Sequence, residues 1–188
     1  MKKQFSILLF LMMSFFLFAQ EEEKNGTLCH IYSNDGEEVV MLRDNFDDVQ
    51  QKYGEPLSYR MVPTKALNDA YDTFYYQYPH MELTKWKGFP SVDYIKLTDS
   101  EYYVTNEKLR IGECTISQVL EVYAELEVAN YVFTKDKDDR KILVISFRTW
   151  DKFYMGENAE QLDYVTVFYG FDYETKTCVG IELSVDAD

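Results

Sequence analysis

Apart from its carboxylates, this sequence has few side chains that could do chemistry. It has two histidines, His30 and His80, and three cysteines, Cys29, Cys114 and Cys178. Successive side chains of a strand point to opposite faces, so the neighbours Cys29 and His30 are poorly placed to act as a thiol–imidazole pair. A long-range pairing of Cys114 or Cys178 with a histidine stays open, although structural cysteines are the commoner outcome.

The motifs that organise common active sites are missing. The sequence has no G-x-S-x-G elbow, no HExxH and no CxxC, and its eight glycines are too dispersed for a phosphate loop. Asp136, Asp138 and Asp139 resemble part of a calcium loop, but the required glycine is lacking and Phe147 replaces the final glutamate. We therefore predict a charged turn at 136–139, and for the whole chain no catalytic residue, no metal and no cofactor.

The amino terminus predicts the compartment. A short cationic start is followed by an apolar run over 5–18 that ends at Ala19, which is the layout of a secretory signal peptide. The run is shorter than the roughly 20 apolar residues that span a bilayer. We predict a signal peptide at 1–19, an N-terminal segment at 20–29, and a bacterial protein that is periplasmic or secreted and not inserted in the membrane after cleavage.

An oxidising compartment allows the three cysteines to form one disulfide and leaves one thiol over. The sequence does not choose among the three pairings.

The charge of the chain restricts its partners. It has 33 acidic and 19 basic residues, for a formal net charge of −14. Such a surface repels phosphate backbones and anionic lipids, so nucleic acid and membrane surfaces are excluded as partners. The acidity either keeps an exported protein soluble or attracts a basic protein partner.

Two segments of the sequence echo each other, at 45–53 and 115–123. Both begin with an N-cap residue, and both carry apolar residues at i, i+3 and i+7, which predicts two amphipathic helices. Gly54 and Pro56 end the first helix. The matching apolar residues are Phe46, Val49 and Tyr53 in the first segment and Ile116, Val119 and Tyr123 in the second.

Runs of β-forming residues surround both helices and predict an α+β fold. We expect two pseudo-repeats of strand, helix and antiparallel meander, at 30–99 and 100–188, with the helices on one face of a long antiparallel sheet. An extra stretch near 148–161 in the second repeat predicts an extended loop or hairpin tip. The predicted strands are 39–42, 57–62, 74–78 and 94–98 in the first repeat and 109–111, 128–133, 142–147, 164–169 and 180–184 in the second.

This unit resembles the repeats of β-lactamase-inhibitory-protein-like domains, and also the small outer-membrane lipoprotein of the β-barrel assembly machinery. The resemblance covers most of 30–184 and is carried by Val49-Gln50-Gln51-Lys52-Tyr53-Gly54-Glu55-Pro56 and a second copy that lacks the glycine and proline. It implies a binding module that offers an aromatic, concave sheet face to a partner protein. It does not imply that a β-lactamase is the partner.

Aromatic residues are the best candidates for such contacts. Tyrosine and tryptophan supply much of the binding energy at protein interfaces, although they also pack across strands inside a sheet. We predict a non-catalytic protein-binding module, of inhibitor or immunity type, that binds through an aromatic sheet face. The candidate contact residues are Tyr76, Tyr78, Trp86, Trp150 and Tyr154.

The alternative is a periplasmic small-molecule or glycan-binding domain. Tyrosine and tryptophan rings beside carboxylates can stack on a sugar, and a deep pocket around Trp86 or Trp150 would favour this alternative.

Overall fold

The computed structural model describes residues 30–64, 71–105, 108–126, 128–154 and 160–185 of the chain. For 129, 149–154 and 160–163 only the backbone is described. The predicted signal peptide and the predicted N-terminal segment with Cys29 lie outside the described residues.

Strands make up most of the described structure. Two helices are described, α1 at Phe46–Tyr53 and α2 at Ile116–Val122. The strands are β1 His30–Ser33, β2 Glu38–Met41, β3 Ser58–Val62, β4 Thr73–Tyr78, β5 Met81–Trp86, β6 Tyr94–Leu97, β7 Tyr102–Val104, β8 Val128–Lys135, β9 Lys141–Tyr154, β10 Glu160–Asp172 and β11 Cys178–Val185.

The prediction of an α+β fold, with helices layered on one face of a sheet, is wrong. The protein is mostly β, with 51% strand against 12% helix, and it has two antiparallel sheets. The helices form where they were predicted, but they have only eight and seven residues, whereas β9 and β10 have 14 and 13. Strands that were not predicted from the sequence, such as β5 and β7, increase the proportion of strand further.

The helix starts confirm the predicted N-caps. The Asn45 side chain accepts a hydrogen bond from the Asp47 amide at 2.9 Å. Thr115 and Gln118 form a capping box, in which each side chain binds the backbone amide of the other. Gly54 ends α1 with a φ of 80°, a left-handed conformation that glycine adopts at little cost.

The large sheet has a mirrored strand order, because its strands follow one another along the chain from each edge towards the centre. Its strand order is β3-β4-β5-β6-β11-β10-β9-β8, whereas the small sheet has the order β2-β1-β7. Strands that follow α1 therefore occupy one half of the large sheet and strands that follow α2 occupy the other. The pairing of β6 with β11, from Tyr94↔Ser184 to Leu97↔Ile181, joins the halves. The repeat boundaries at 30–99 and 100–188 stay a prediction.

One face of the large sheet, here called the packed face, supplies much of the core. Direct cross-strand partners share a face, and one such row crosses the central strands with each side chain at most 1% exposed. From α1, the Phe46 ring lies 4.1 Å from the ring of Tyr76, and Tyr123, at the end of α2, stacks on Phe147 at 4.5 Å. The row consists of Leu83, Ile95, Leu183, Val167 and Phe147.

A pair of tyrosine hydroxyls lies inside this core. The Tyr123 and Tyr169 oxygens are 2.8 Å apart, and the two residues are 3% and 0% exposed. Burial raises the pKa of both hydroxyls, so both stay protonated at neutral pH. The hydrogen bond between them satisfies groups that would be costly to bury alone.

We predict that Tyr123→Phe and Tyr169→Phe will each lower the free energy of unfolding by about 1–3 kcal/mol, because each leaves one buried hydroxyl without its partner. The double variant should lose less than the sum of the single losses, since it removes both hydroxyls. Urea denaturation of the four proteins measures this coupling, and strictly additive losses would contradict it.

Candidate functional site

The face opposite the packed face, here called the open face, carries a different set of side chains. Solvent reaches it both at the edge and at the centre, since the Arg60 and Lys96 side chains are 57% and 44% exposed. One row of direct partners is Arg60, Tyr75, Thr84, Tyr94, Ser184, Thr166 and Arg148. The next row is Gln77, Glu82, Lys96, Glu182, Phe168 and Ser146.

An ion pair lies at the centre of the open face. Lys96 Nζ is 2.8 Å from Glu182 Oε1, across the pairing of β6 with β11. The hydroxyl of Tyr94 interacts with the same carboxylate. Burial, followed by the charge of Glu182, raises the pKa of Tyr94 far above its usual value. Tyr94 is thus a neutral donor and not a base, and this centre offers hydrogen bonds rather than a nucleophile.

An arginine stacks on a tyrosine on each side of this centre. The Arg60 guanidinium lies 3.6 Å from the centre of the Tyr75 ring, and the Arg148 guanidinium lies 4.0 Å from the centre of the Tyr164 ring. Stacking on a ring holds the guanidinium in place while its edge can still form hydrogen bonds. Arginine and tyrosine are among the residues that contribute most at protein interfaces.

The open face is nearly balanced in charge, unlike the chain as a whole. Its two rows carry the basic residues Arg60, Lys96 and Arg148 and the acidic residues Glu82 and Glu182. The net charge of the chain is −14. Most of the acidity therefore lies elsewhere in the chain.

Two of the predicted contact residues are on the wrong face. Tyr78 is 1% exposed, and Tyr76 is partly buried against Phe46, so both belong to the core instead of a contact surface. The alternation along β4 was predicted correctly, with Tyr76 and Tyr78 on one face. That face is the packed one, and the neighbouring Tyr75 lies on the open face.

Of the other three predicted contacts, the structure describes the side chain of Trp86. Trp86 is half-buried and its ring lies 5.9 Å from that of Tyr71 and 5.6 Å from that of Phe89. Trp150 and Tyr154 lie on β9, and their side chains are outside the described part of the structure.

The stretch at 148–161, predicted as a loop or hairpin tip, contributes to a long hairpin. β9 and β10 pair as far as Tyr154↔Glu160. Among the described residues, the neighbouring strands stop earlier, since the pairing of β8 with β9 ends at Phe147 and that of β11 with β10 ends at Val165. The end of the hairpin therefore extends past both neighbouring strands.

The side chains that could have formed a catalytic cluster are engaged separately. His30 Nδ1 lies 2.5 Å from Glu38, and His80 Nδ1 lies 2.8 Å from Asp99. Cys114 and Cys178 are both buried in the hydrophobic core. Within the described residues, no three or more His, Cys, Asp or Glu side chains gather into a group that could hold a metal ion.

The acidic turn at 136–139 binds its own neighbours. Asp136 accepts hydrogen bonds from the backbone amides of Asp138 and Arg140, and its carboxylate pairs with the Arg140 guanidinium at 2.6 Å. Lys135 pairs with Asp139 at 2.6 Å. These interactions stabilise the turn between β8 and β9.

Among the described helices, none is long and apolar enough to cross a membrane. Comparison with protein-family models, with curated proteins and with solved structures finds no match to the chain. The resemblance to β-lactamase-inhibitory-protein-like repeats therefore stays a prediction.

We predict that Arg60→Ala and Lys96→Ala will each change the free energy of unfolding by about 1 kcal/mol or less, because exposed ion pairs and stacks contribute little. Leu183→Ala, on the packed face of β11, should lose about 2–5 kcal/mol through the cavity that it leaves. Urea denaturation of the three variants tests this contrast between the two faces. Equal losses would show that the open face is part of the core.

Proposed function

We propose that this chain is an exported, non-catalytic protein-binding module, of inhibitor or immunity type, and that it binds its partner through the open face. The observation that carries the proposal is the pair of arginine–tyrosine stacks, Arg60 on Tyr75 and Arg148 on Tyr164, on either side of the Lys96–Glu182 ion pair. These are side chains of the kind that fix and orient a partner protein.

The breadth of the open face favours a protein over a small ligand. Arg60 and Arg148 lie in one row, six strand spacings apart, and a spacing of about 4.8 Å places them roughly 29 Å from each other. That span suits a protein interface of standard size, about 800 Å² per partner. A small ligand needs a concave site that encloses most of its surface.

The distribution of charge supports a partner with a basic surface. A net charge of −14 attracts such a partner over a distance and speeds the encounter. The open face, with its balanced charges, then forms the contact without burying a large unpaired charge. Long-range attraction and local contact are thus assigned to different parts of the molecule.

The packing around Trp86 weighs against the glycan alternative. A sugar ring needs an aromatic face on which to stack, and Trp86 has Tyr71 and Phe89 as ring neighbours within 6 Å. Phe89 is the most exposed of this group at 38%. The described part of this cluster offers a filled aromatic surface in place of an open cleft.

We predict that the tagged chain will capture one stoichiometric protein from the cell envelope of its native host. The double variant Arg60→Ala/Tyr75→Ala should reduce that capture at least tenfold, which is the typical loss when an interface residue contributes more than about 1.4 kcal/mol. Quantitative mass spectrometry of the captured material measures both effects.

Lys137→Ala is the matched control, because it also removes one exposed positive charge but lies in the β8–β9 turn. It should leave capture unchanged. If the control and the double variant lose capture equally, the loss is not specific to the open face, and the open face is not the contact. If nothing is enriched and a glycan array gives a saturable signal, the alternative function replaces this one.

A further inference from the structure

Two buried thiols meet where the segment before α2 reaches the start of β11. Cys114 and Cys178 are 4% and 1% exposed, both thiols are free, and both side chains belong to the same hydrophobic core cluster. The backbone is fixed at the same place, because the Gly112 amide donates to the Cys178 carbonyl at 2.8 Å. The two buried thiols therefore lie at one junction of the fold.

The first half of the large sheet has an equivalent junction with different chemistry. There the Arg43 amide donates to the Val92 carbonyl at 2.7 Å, and the Val92 amide donates to the Asp44 carbonyl at 2.9 Å. The Arg43 guanidinium also pairs with Asp93 at 2.5 Å. A partly buried ion pair thus ties the segment before α1 to the start of β6.

In the second half, Cys114 and Cys178 occupy the positions that Asp44 and Val92 occupy in the first half. Cys114 precedes its helix cap, Thr115, as Asp44 precedes Asn45, and Cys178 starts the last strand of its half, two residues before Gly180, as Val92 comes two residues before Tyr94. A covalent bond between them would tie the second junction as the ion pair ties the first.

We propose that Cys114 and Cys178 form an intramolecular disulfide during folding in the presence of a disulfide oxidant, and that Cys29 is left as the unpaired thiol. The inference is independent of the proposed binding function. It selects one of the three pairings that the sequence leaves open.

The reaction balances as two thiol–disulfide exchanges with a small disulfide such as oxidised glutathione. The Cys114 thiolate attacks one sulfur of the oxidant, forms a mixed disulfide and releases one thiolate. The Cys178 sulfur, after losing its proton, attacks the Cys114 sulfur and releases the second thiolate. Cys114 and Cys178 lose two electrons in total, the oxidant gains them, and the two protons end on the two released thiols.

The oxidant can react with either thiol first, and the balance is the same in both orders. Because both side chains are buried in the folded protein, the oxidant reaches them while the chain is still folding.

The test is to refold the purified full chain from urea with reduced and oxidised glutathione, or with reductant alone. Alkylation with iodoacetamide in denaturant then counts the free thiols. After oxidative refolding, peptide mass spectrometry should find Cys29 alkylated and Cys114 linked to Cys178. The midpoint of thermal unfolding should be roughly 10 °C higher than that of the reduced protein, because the bond closes a long loop in the unfolded chain.

Two variants keep the test decisive. Cys29→Ser should form the same linkage with no alkylated thiol left, and Cys178→Ser should lose the dependence of the thermal midpoint on oxidant. Should Cys178→Ser fail to fold, the Cys29→Ser result decides alone. Three alkylated thiols in the natural sequence, a linkage to Cys29, or two alkylated thiols in Cys29→Ser would overturn the proposal.

Discussion

The ladder between β6 and β11 is the interaction on which the open face depends. It is the step that joins the strands following α1 to the strands following α2 in the large sheet. On the packed face it places Ile95 opposite Leu183, both fully buried, and on the open face it places Lys96 opposite Glu182. The same register thus supplies the middle of the core and the middle of the candidate contact surface. A shift by one residue would exchange these two sets of side chains.

The local features of this fold could be predicted from the sequence, because the residues that cause them are neighbours in the chain. The caps at Asn45 and Thr115, the stop at Gly54 and the turn at 136–139 depend on hydrogen bonds within a few residues. The fold class could not be predicted from the same signals. Helix periodicity indicates that a helix forms, but the proportion of helix to strand depends on the lengths of the strands. β9 and β10 are longer than the sequence pattern predicts.

The candidate site could be predicted only in part, for a related reason. Alternation along β4 places Tyr76 and Tyr75 on opposite faces of the sheet, but the sequence of that strand does not indicate which face is buried. That choice depends on Phe46, which comes from α1 and packs on Tyr76. Arg60, Tyr94 and Glu182 carry no motif, and they become neighbours on one face only through the register of strands that are distant in sequence.

The mirrored strand order has a consequence for how the protein reaches its folded state. Within each half of the large sheet, neighbouring strands follow one another along the chain, so hairpins form by closing short loops. The Lys96–Glu182 contact at the centre joins residues 86 positions apart. β6 therefore has an unpaired edge until β11 has emerged, and its apolar residues, Ile95 and Leu97, are present in a strand with free backbone donors and acceptors. During synthesis, pairing between the unfinished sheets of two copies competes with completion of the fold.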